Sequence, residues 1–194
     1  MHHSPIQRER SIRTSFTHPL RIDEIAAGAN GGLIGITFCP GKRGASHGNY
    51  EWQRDLSIDL DVVCTWRANA IATLIEDHEF EMLRVPHFAE AVAARHLEWH
   101  HLPIVDVRPP DERFERAWGT SGPRLGELLS AGGRVLVHCR GGLGRAGTVA
   151  ARLLVELGEP PKQAVSRVRA ARPGAIETER QLQYVLGILG KANS

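Results

Sequence analysis

The segment RVLVHCRGGLGRAGT, residues 134–148, constrains the fold more than any other part of this sequence. Its apolar start predicts a short buried strand, and the stretch from Arg145 to Leu157 predicts a helix. Between Cys139 and Arg145, glycine occupies three of the five positions. A strand that turns directly into a helix leaves the backbone N–H groups of the turn without intrahelical partners. The segment therefore predicts an anion-binding loop at a helix N-terminus.

Two side chains of this loop carry reactive chemistry. Arg145 supplies a planar guanidinium that can bind two oxygens of one phosphate. Cys139 lies at the base of the same positive field, which is expected to favour the thiolate form of its side chain. The glycines allow the positive φ values and the close backbone approach that an anion-binding loop requires. The pattern predicts a thiolate nucleophile directly beneath a bound phosphate.

The same residues permit another interpretation. Gly142 to Gly147 reads G-x-G-x-x-G, which in a dinucleotide-binding fold is followed by a helix, a second strand and an acidic residue about 20 positions on. Here the chain after Leu157 continues as GEPPKQAVSRVRAARPG, which predicts a further helix and no strand. The context therefore argues against a nucleotide site.

Composition restricts the class of protein. A length of 194 residues with 42% hydrophobic and 24% charged residues is typical of one soluble globular domain. The net charge of +2 gives no argument for a nucleic-acid partner, and no apolar run is long enough for a membrane helix. The three cysteines form neither a disulfide framework nor a metal motif. The N-terminus lacks a secretory signal, so we expect a cytoplasmic protein without metal or other cofactor.

The remaining pattern predicts a flexible N-terminal arm over residues 1–18 and a single domain over residues 19–194. Strands alternate with helices, which favours an α/β fold with a central, mostly parallel sheet. The predicted strands are 19–25, 32–38, 70–76, 97–106 and 134–138. The predicted helices are 57–67, one opening at Pro86, 113–119, 123–131, 145–157, 161–171 and 177–189, whereas 39–54 and 76–86 read as loops.

HCRGGLGRAGT resembles the His-Cys-x5-Arg signature of the cysteine-dependent protein phosphatases, and in particular the dual-specificity group that includes the kinase-associated phosphatases. GLIGITFCPGKR, WHHLPIVD and RPGAIETERQLQYV also resemble segments of that family, so the resemblance extends from about Leu33 to Leu189. It implies a protein-tyrosine-phosphatase-like α/β fold. It also implies metal-independent hydrolysis of phosphate monoesters on phosphoproteins, at Tyr and/or Ser/Thr.

The resemblance implies a role for each matching residue. Cys139 matches the nucleophile that forms a cysteinyl-phosphate, and Arg145 matches the arginine that binds the phosphoryl oxygens. Asp106 matches the acid that protonates the leaving oxygen and then activates water. The substrate-binding residues would be Arg140, Gly141, Gly142, Leu143, Gly144 and Arg145.

Asp106 has a competitor in the same loop. Asp106 lies 33 residues before Cys139 and Asp111 lies 28 residues before it. Asp111 follows Pro110 and precedes a helical pattern, so we interpret it as a helix N-cap. In a departure from the family, Asp106 is followed by Val-Arg-Pro-Pro instead of small residues, and the path of this loop stays open.

Other side chains allow a functional or a purely structural interpretation. His138 either tunes the thiolate or packs at the strand end, and Gln181 either orients water or is an exposed helix residue. We interpret Glu177 and Thr178 as caps of the last helix and Cys64 as a core residue. Histidines 96, 100 and 101 do not predict a shared metal, because adjacent strand residues face opposite sides.

Two features bear on the reaction and its substrate. Ala146 stands where the family usually has Ser or Thr, whose hydroxyl would assist the departing thiolate, although Thr148 could supply a hydroxyl from the next turn. This departure leaves a phosphate-binding pseudophosphatase or adaptor as the alternative, with a sulfur-transferring or arsenate-reducing loop as a third. Only Arg140 adds positive charge inside the loop, which favours a phosphoprotein over an inositide, and we expect a monomer.

Overall fold

The computed structural model of the protein describes residues 11–46 and 48–188. Its strands are β1 (Ser11–Arg13), β2 (Asp23–Ala27), β3 (Gly32–Phe38), β4 (Arg43–Ala45), β5 (Tyr50–Gln53), β6 (Ala70–Thr73), β7 (Glu98–His101) and β8 (Arg134–Cys139). Its helices are α1 (Leu56–Thr65), α2 (Asp77–Met82), α3 (Phe88–Ala93), α4 (Glu112–Ser130), α5 (Gly144–Glu156), α6 (Pro161–Ala171) and α7 (Glu179–Leu186).

A five-stranded sheet with the order β2-β3-β8-β6-β7 forms the centre of the fold. Only the β2–β3 pair is antiparallel, and the other three pairs are parallel. All four residues of β6 and five of the six residues of β8 are buried, as expected for strands that are covered on both faces. The predicted α/β fold with a mostly parallel sheet is confirmed.

The strand period of two divides the core between the two faces of the sheet. Val135, Val137 and Cys139 of β8 belong to the hydrophobic cluster that also contains the buried faces of α4, α5, α6 and α7. Leu136 points to the other face and belongs to the cluster with α1 and α3. Cys139 is thus the last residue of a fully anchored central strand.

The prediction of a loop over residues 39–54 is wrong. Strands β4 and β5 form an antiparallel hairpin, and β1 adds parallel to β5, so that a second sheet has the order β1-β5-β4. The predicted flexible arm is also wrong for residues 11–18, because β1 is part of this sheet and Ser15 donates to the Asp55 carbonyl. Residues 1–10 lie outside the described residues. These strands are short and charged, and they therefore lack the apolar alternation that predicts a strand.

Two helices also differ from the sequence prediction. Helix α2 occupies the predicted loop 76–86 and opens with a capping box between Glu76 and Glu79. Helix α4 continues through Pro123, where two separate helices were predicted. The buried positions Phe114, Trp118, Gly122, Leu125 and Leu129 follow one helical face across the proline. Packing of that face compensates for the one backbone bond that proline cannot make.

The other predicted strands and helices are present, with ends displaced by a few residues. Gly132, with φ of +86°, ends α4 in the left-handed region, where glycine has no steric penalty. In the part of the chain that the structure describes, no helix combines the length and apolar character needed to span a membrane.

Candidate active site

The loop between β8 and α5 lies at the carboxyl end of the central strand. Strands β3 and β6 flank β8 and end at the same edge, with Phe38 opposite Cys139 in the β3–β8 register. In open α/β sheets, this edge is where ligands bind. The loop runs over residues 140–143, and α5 begins at Gly144.

Cys139 is held at the base of this loop. Its side chain is only 3% exposed, and its Sγ accepts a hydrogen bond of 3.2 Å from the backbone N–H of Gly142. Gly142 has φ of +70°, and a Cβ at this position would come within 2.5 Å of the Thr37 carbonyl. Only glycine therefore fits where the loop passes over β3 and directs an N–H at the sulfur.

Arg145 lies almost completely buried beneath the loop. Its guanidinium donates to both carboxylate oxygens of Glu79 at 2.5 and 2.9 Å, and to the Ile104 carbonyl at 3.1 Å. Its Nη2 is also 3.0 Å from Oδ1 of Asp106. Burial alone would lower the pKa of Arg145, but the bonds to Glu79 raise it above its ordinary value. The guanidinium therefore stays charged and fixed in orientation.

Glu79 is a residue of the site that the sequence analysis missed. It lies on α2, is 2% exposed, and one of its oxygens also accepts from the Glu76 N–H. Burial alone would raise its pKa, but the hydrogen bonds from Arg145 and from the Glu76 backbone lower it. The charged carboxylate is thus the fixed partner of Arg145. The E-x-x-E spacing of a capping box is the one sequence signal that could have indicated a helix here.

The structure separates the two aspartates. Asp106 is 52% exposed, lies beside Arg145, and lines the pocket above the loop. Asp111 accepts from the Phe114 N–H at 3.0 Å and caps α4, so the predicted N-cap is confirmed. Val107 follows Asp106 with φ of +56°, a conformation that a β-branched residue rarely adopts. The chain therefore turns sharply at Val107, which lines the pocket together with Asp106.

Cations hold the outer, carbonyl side of the loop. Arg172 donates to the carbonyls of Gly142 at 3.0 Å and Gly141 at 3.3 Å, and it pairs with Asp23 at 2.6 Å. Lys42 donates from Nζ to the Arg140 carbonyl at 3.1 Å. Because its carbonyls face outward to these cations, the loop can turn its N–H groups inward.

The segment before α7 contacts the loop from the opposite side. Glu177 accepts from the N–H of Gly144, the first residue of α5, at 2.7 Å. Its interpretation as a cap of the last helix is therefore wrong, because it binds the N-terminus of α5 instead. Thr178 caps α7 and shares a capping box with Gln181, as predicted for Thr178. Gln181 is fully buried, which excludes the exposed alternative, and its amide donates to the Arg108 carbonyl. Ile176, with φ of +59°, forms the turn that brings Glu177 to the loop.

His138 is a buried, neutral residue. Its Nε2 lies 2.8 Å from Oγ1 of Thr73, and the Trp99 indole N–H donates to the same oxygen at 2.9 Å. Thr73 thus links the indole of Trp99 to the imidazole of His138 through one hydroxyl oxygen. Burial is the main cause that lowers the pKa of His138 to about 3. Packing at the strand end is the interpretation that this geometry favours.

The remaining candidates lie apart from the loop chemistry. His100 contacts Glu98, and His101 contacts the Ile75 carbonyl, so these neighbours make separate contacts. Within residues 11–46 and 48–188, no group of three His, Cys, Asp or Glu side chains is arranged to hold a metal. Cys64 is exposed on α1, and its interpretation as a core residue is wrong. Cys64 does lie on a helix, as its spacing predicted, but on the solvent-exposed side of α1.

A pocket of about 590 Å³ opens above the loop. Arg140, Gly141 and Leu143 of the loop line it, together with Asp106, Val107 and Glu177. The β4–β5 hairpin and the residues before it also line the pocket, through Phe38, Lys42, Arg43, Tyr50 and Trp52.

A family model described as "Swiss Army Knife protein, DSP-PTPase phosphatase domain" matches residues 63–185. The chain belongs to this family. Cyclin-dependent kinase inhibitor 3 of Rattus norvegicus is 36% identical over 110 residues, which are 55% of this chain and 50% of that protein. The Homo sapiens protein of the same name is 35% identical over 115 residues, again 55% and 50% of the two chains. The chain thus spans about half the length of these curated relatives.

Solved structures show the same fold. A kinase associated phosphatase with its catalytic cysteine replaced by serine gives a TM-score of 0.73 at 26% identity, covering 86% of this chain and 92% of that one. Tk-PTP in its active form gives a TM-score of 0.62 at 27% identity, covering 84% and 98%. The resemblance to the dual-specificity phosphatases and the predicted phosphatase fold are confirmed.

The structure shows the surroundings of Ala146, which stands where the family usually has Ser or Thr. Ala146 is fully buried on the first turn of α5 and offers no donor to Cys139. Thr148 cannot replace it, because its hydroxyl donates to the Gly144 carbonyl at 2.7 Å within the helix. The alternative source of a hydroxyl considered from the sequence is therefore already engaged.

Proposed function

We propose that the protein hydrolyses phosphate monoesters of phosphoproteins, at Tyr and/or Ser/Thr, through a cysteinyl-phosphate on Cys139. The observation that carries the proposal is the convergence of three side chains at one loop. Cys139 lies at its base, Arg145 is fixed beneath it, and Asp106 lies 3.0 Å from Arg145 at the rim of the pocket. Phosphoryl transfer depends mainly on such positioning and on charge stabilisation.

In the first step, the Cys139 thiolate forms a bond to phosphorus while the bond from phosphorus to the leaving oxygen breaks. Asp106, as the carboxylic acid, gives its proton to that oxygen. In the second step, the Asp106 carboxylate takes a proton from water as the water oxygen bonds to phosphorus. The sulfur–phosphorus bond breaks, inorganic phosphate leaves, and the Cys139 thiolate is restored.

The side chains around the loop support these two steps. Arg145 can donate to the phosphoryl group from Nε, which has no hydrogen-bond partner among the described residues, while Glu79 holds the guanidinium through both Nη atoms. Arg172 binds the carbonyls of Gly141 and Gly142 and so fixes the backbone of the loop. The Gly142 N–H is directed at Cys139 Sγ, whereas the Gly144 N–H is occupied by Glu177. The described groups complete the reaction as written with water as the only co-substrate.

The relatives support a phosphoprotein as substrate, since their names include a kinase-associated phosphatase and a protein tyrosine phosphatase. The pseudophosphatase or adaptor alternative is not favoured, because a carboxylate lies beside Arg145 in addition to the nucleophile. The cytoplasmic location, the monomeric state and the single-domain organisation stay predictions from the sequence.

Steady-state hydrolysis of an aryl phosphate, with vanadate as inhibitor, tests the proposal. We expect turnover by the wild-type protein and its complete loss in Cys139→Ser, while phosphate binding stays measurable because the loop and Arg145 remain. The matched control is Cys64→Ser, which removes an exposed thiol on α1 and is expected to keep full activity. A Cys139→Ser protein that keeps more than a few per cent of wild-type kcat contradicts the assignment. Phosphate binding without wild-type turnover would instead support the adaptor.

A further inference from the structure

The pocket above the loop has an acidic and a basic side. On the acidic side, Asp106 is paired with Arg145 and Glu177 accepts from the Gly144 N–H, so both carboxylates are engaged with the loop. On the basic side lie Lys42, Arg43 and Arg140, which all line the pocket. A volume of about 590 Å³ leaves room beside a phosphoryl group at the loop for a neighbouring part of a substrate.

Lys42 is a buried cation that has no carboxylate partner among the described residues. It is 8% exposed, and its Nζ lies 4.4 Å from the centre of the Phe38 ring and 4.9 Å from that of Trp52. Its hydrogen bond goes to a neutral carbonyl, that of Arg140. Aromatic faces and a carbonyl attract a cation but do not neutralise its charge. A buried charge without an ionic partner is unfavourable, so this position favours binding of an anion.

The other two cations on this side also lack carboxylate partners among the described residues. Arg43 is exposed and donates only to the Arg54 carbonyl, and Arg140 is half-buried with no side-chain hydrogen bond. Three buried or half-buried arginines nearby differ in this respect. Arg54 forms an ion pair with Asp59, Arg145 with Glu79 and Arg172 with Asp23. Unpaired positive charge is therefore concentrated on one wall of the pocket.

We propose that Lys42, Arg43 and Arg140 form a second anion site, which binds a second phosphate or an acidic side chain of the same phosphoprotein substrate. The inference rests on the proposed function, because the first phosphate is placed at the Cys139 loop. A polypeptide suits the pocket better than a lipid surface. Of the large apolar side chains that are exposed among the described residues, Met82 and Val107 line the pocket, and much of its other lining is charged or polar.

Binding of three phosphopeptides to the inert Cys139→Ser protein tests this site. The peptides share one phosphoresidue and differ at a nearby position, which carries a second phosphate, a glutamate or an alanine. We expect the Kd of the doubly phosphorylated peptide to be about 10- to 100-fold lower than that of the alanine peptide. The glutamate peptide is expected to lie between them, and the intermediate value distinguishes an acidic side chain from a second phosphate.

Variants of the basic wall show whether these residues carry the preference. Lys42→Met and Arg43→Gln are expected to reduce the ratio between the doubly phosphorylated and alanine peptides to less than about threefold. Lys162→Met removes an exposed cation on α6 and should leave the ratio unchanged. Arg43 is exposed, so its variant provides the test even if Lys42→Met does not fold. A ratio that stays high in folded variants of both residues overturns the proposal.

The failure of this inference can be distinguished from failure of the proposed function. If the wild-type protein hydrolyses aryl phosphate but its Cys139→Ser form binds the three peptides equally, only the second anion site is wrong. If no phosphate monoester is hydrolysed but the peptide preference is present and depends on Lys42 and Arg43, the proposed reaction is wrong and the anion site stands. If phosphoinositide vesicles displace the doubly phosphorylated peptide at lower phosphate concentration than that peptide itself, the polypeptide assignment is wrong.

Discussion

The phosphate loop and the β4–β5 hairpin face each other across one pocket, but they are held in different ways. The loop continues the central strand β8, and Gly142, Arg172 and Glu79 fix its backbone and its arginine through buried contacts. The hairpin belongs to a separate three-stranded sheet, and Arg43 on it is exposed. Groups that must be positioned accurately thus lie on the rigid side, and groups that meet a variable substrate lie on the accessible side.

The largest loss of activity is expected from substitution of Asp106. Asp106 is the one proposed reacting group that is exposed to solvent, so its substitution tests whether an accessible residue can carry a catalytic role. General acid–base groups contribute about 10²–10⁴-fold, so Asp106→Asn should lose kcat/KM by that factor. The loss should shrink with aryl phosphates that have good leaving groups, since they need no proton. Measurement of kcat/KM against leaving-group pKa checks this expectation.

Asp111→Asn is the matched control for Asp106, five residues further along the same loop. It changes a helix cap and should cost at most about 1 kcal/mol of stability while leaving kcat/KM nearly unchanged. A large loss of activity in Asp111→Asn, without one in Asp106→Asn, would reverse the assignment of the acid.

Glu79 tests whether the rigid side depends on its buried support. Glu79→Gln removes the charge that orients Arg145, and a misplaced binding group of this kind can cost about 10²-fold in rate. It also leaves the buried guanidinium without its main carboxylate, which for such pairs costs roughly 3–5 kcal/mol of stability. The measurements are kcat/KM and the Kd for phosphate at a temperature where circular dichroism shows a folded protein.

A second variant separates orientation from charge at Glu79. Glu79→Asp keeps the carboxylate on a shorter side chain and should recover part of the phosphate affinity. If folded Glu79→Gln binds phosphate and turns over substrate like the wild type, Glu79 is only a structural residue and Arg145 does not depend on it.

The two sides of the pocket also differ in how far the sequence could predict them. The loop was predictable because its information is local: an apolar strand, glycines at fixed positions, Cys139 and Arg145 lie within twelve consecutive residues. The partner of Arg145 could not be predicted from the sequence, because Glu79 is 66 residues away and reaches the site only through tertiary packing. The hairpin was missed because Arg43–Ala45 and Tyr50–Gln53 have neither apolar alternation nor length.

Substitution of Lys42 tests whether a cation of the basic wall lowers the stability of the folded protein. Burial, with contributions from Arg54 and Arg140, lowers the Lys42 pKa from 10.5 to about 8, and the nearby thiols Cys39 and Cys139 oppose this shift. Below pH 8 the folded protein therefore holds a charged lysine in an unfavourable environment. A shift of this size corresponds to roughly 3 kcal/mol.

Lys42→Met should therefore be more stable than the wild type at pH 7, by about 1–2 kcal/mol after the loss of the bond to the Arg140 carbonyl. The difference should shrink as pH rises from 8 towards 10.5, because the folded wild type then loses the charge that the unfolded chain keeps. Urea unfolding at several pH values measures it, with Lys162→Met as the control. Equal stability of Lys42→Met and wild type across this range would contradict a strained, unpaired cation.

The smallest effect is expected at Ala146, which follows Arg145 at the phosphate loop and stands where the family usually has Ser or Thr. The first step starts from a thiolate that the Gly142 N–H already stabilises at 3.2 Å, so it needs no side-chain hydroxyl. The second step expels that thiolate from phosphorus, and a donor beside the sulfur would stabilise the developing charge. Since Thr148 donates to the Gly144 carbonyl, the wild-type protein lacks this donor.

Breakdown of the cysteinyl-phosphate should therefore limit kcat and produce a pre-steady-state burst. Ala146→Ser should raise kcat by up to about 10-fold, equivalent to about 1.4 kcal/mol, and reduce the burst. Rapid-quench kinetics on both proteins decides: the absence of a burst in the wild type, together with an unchanged kcat in Ala146→Ser, would show that the second step is not rate-limiting.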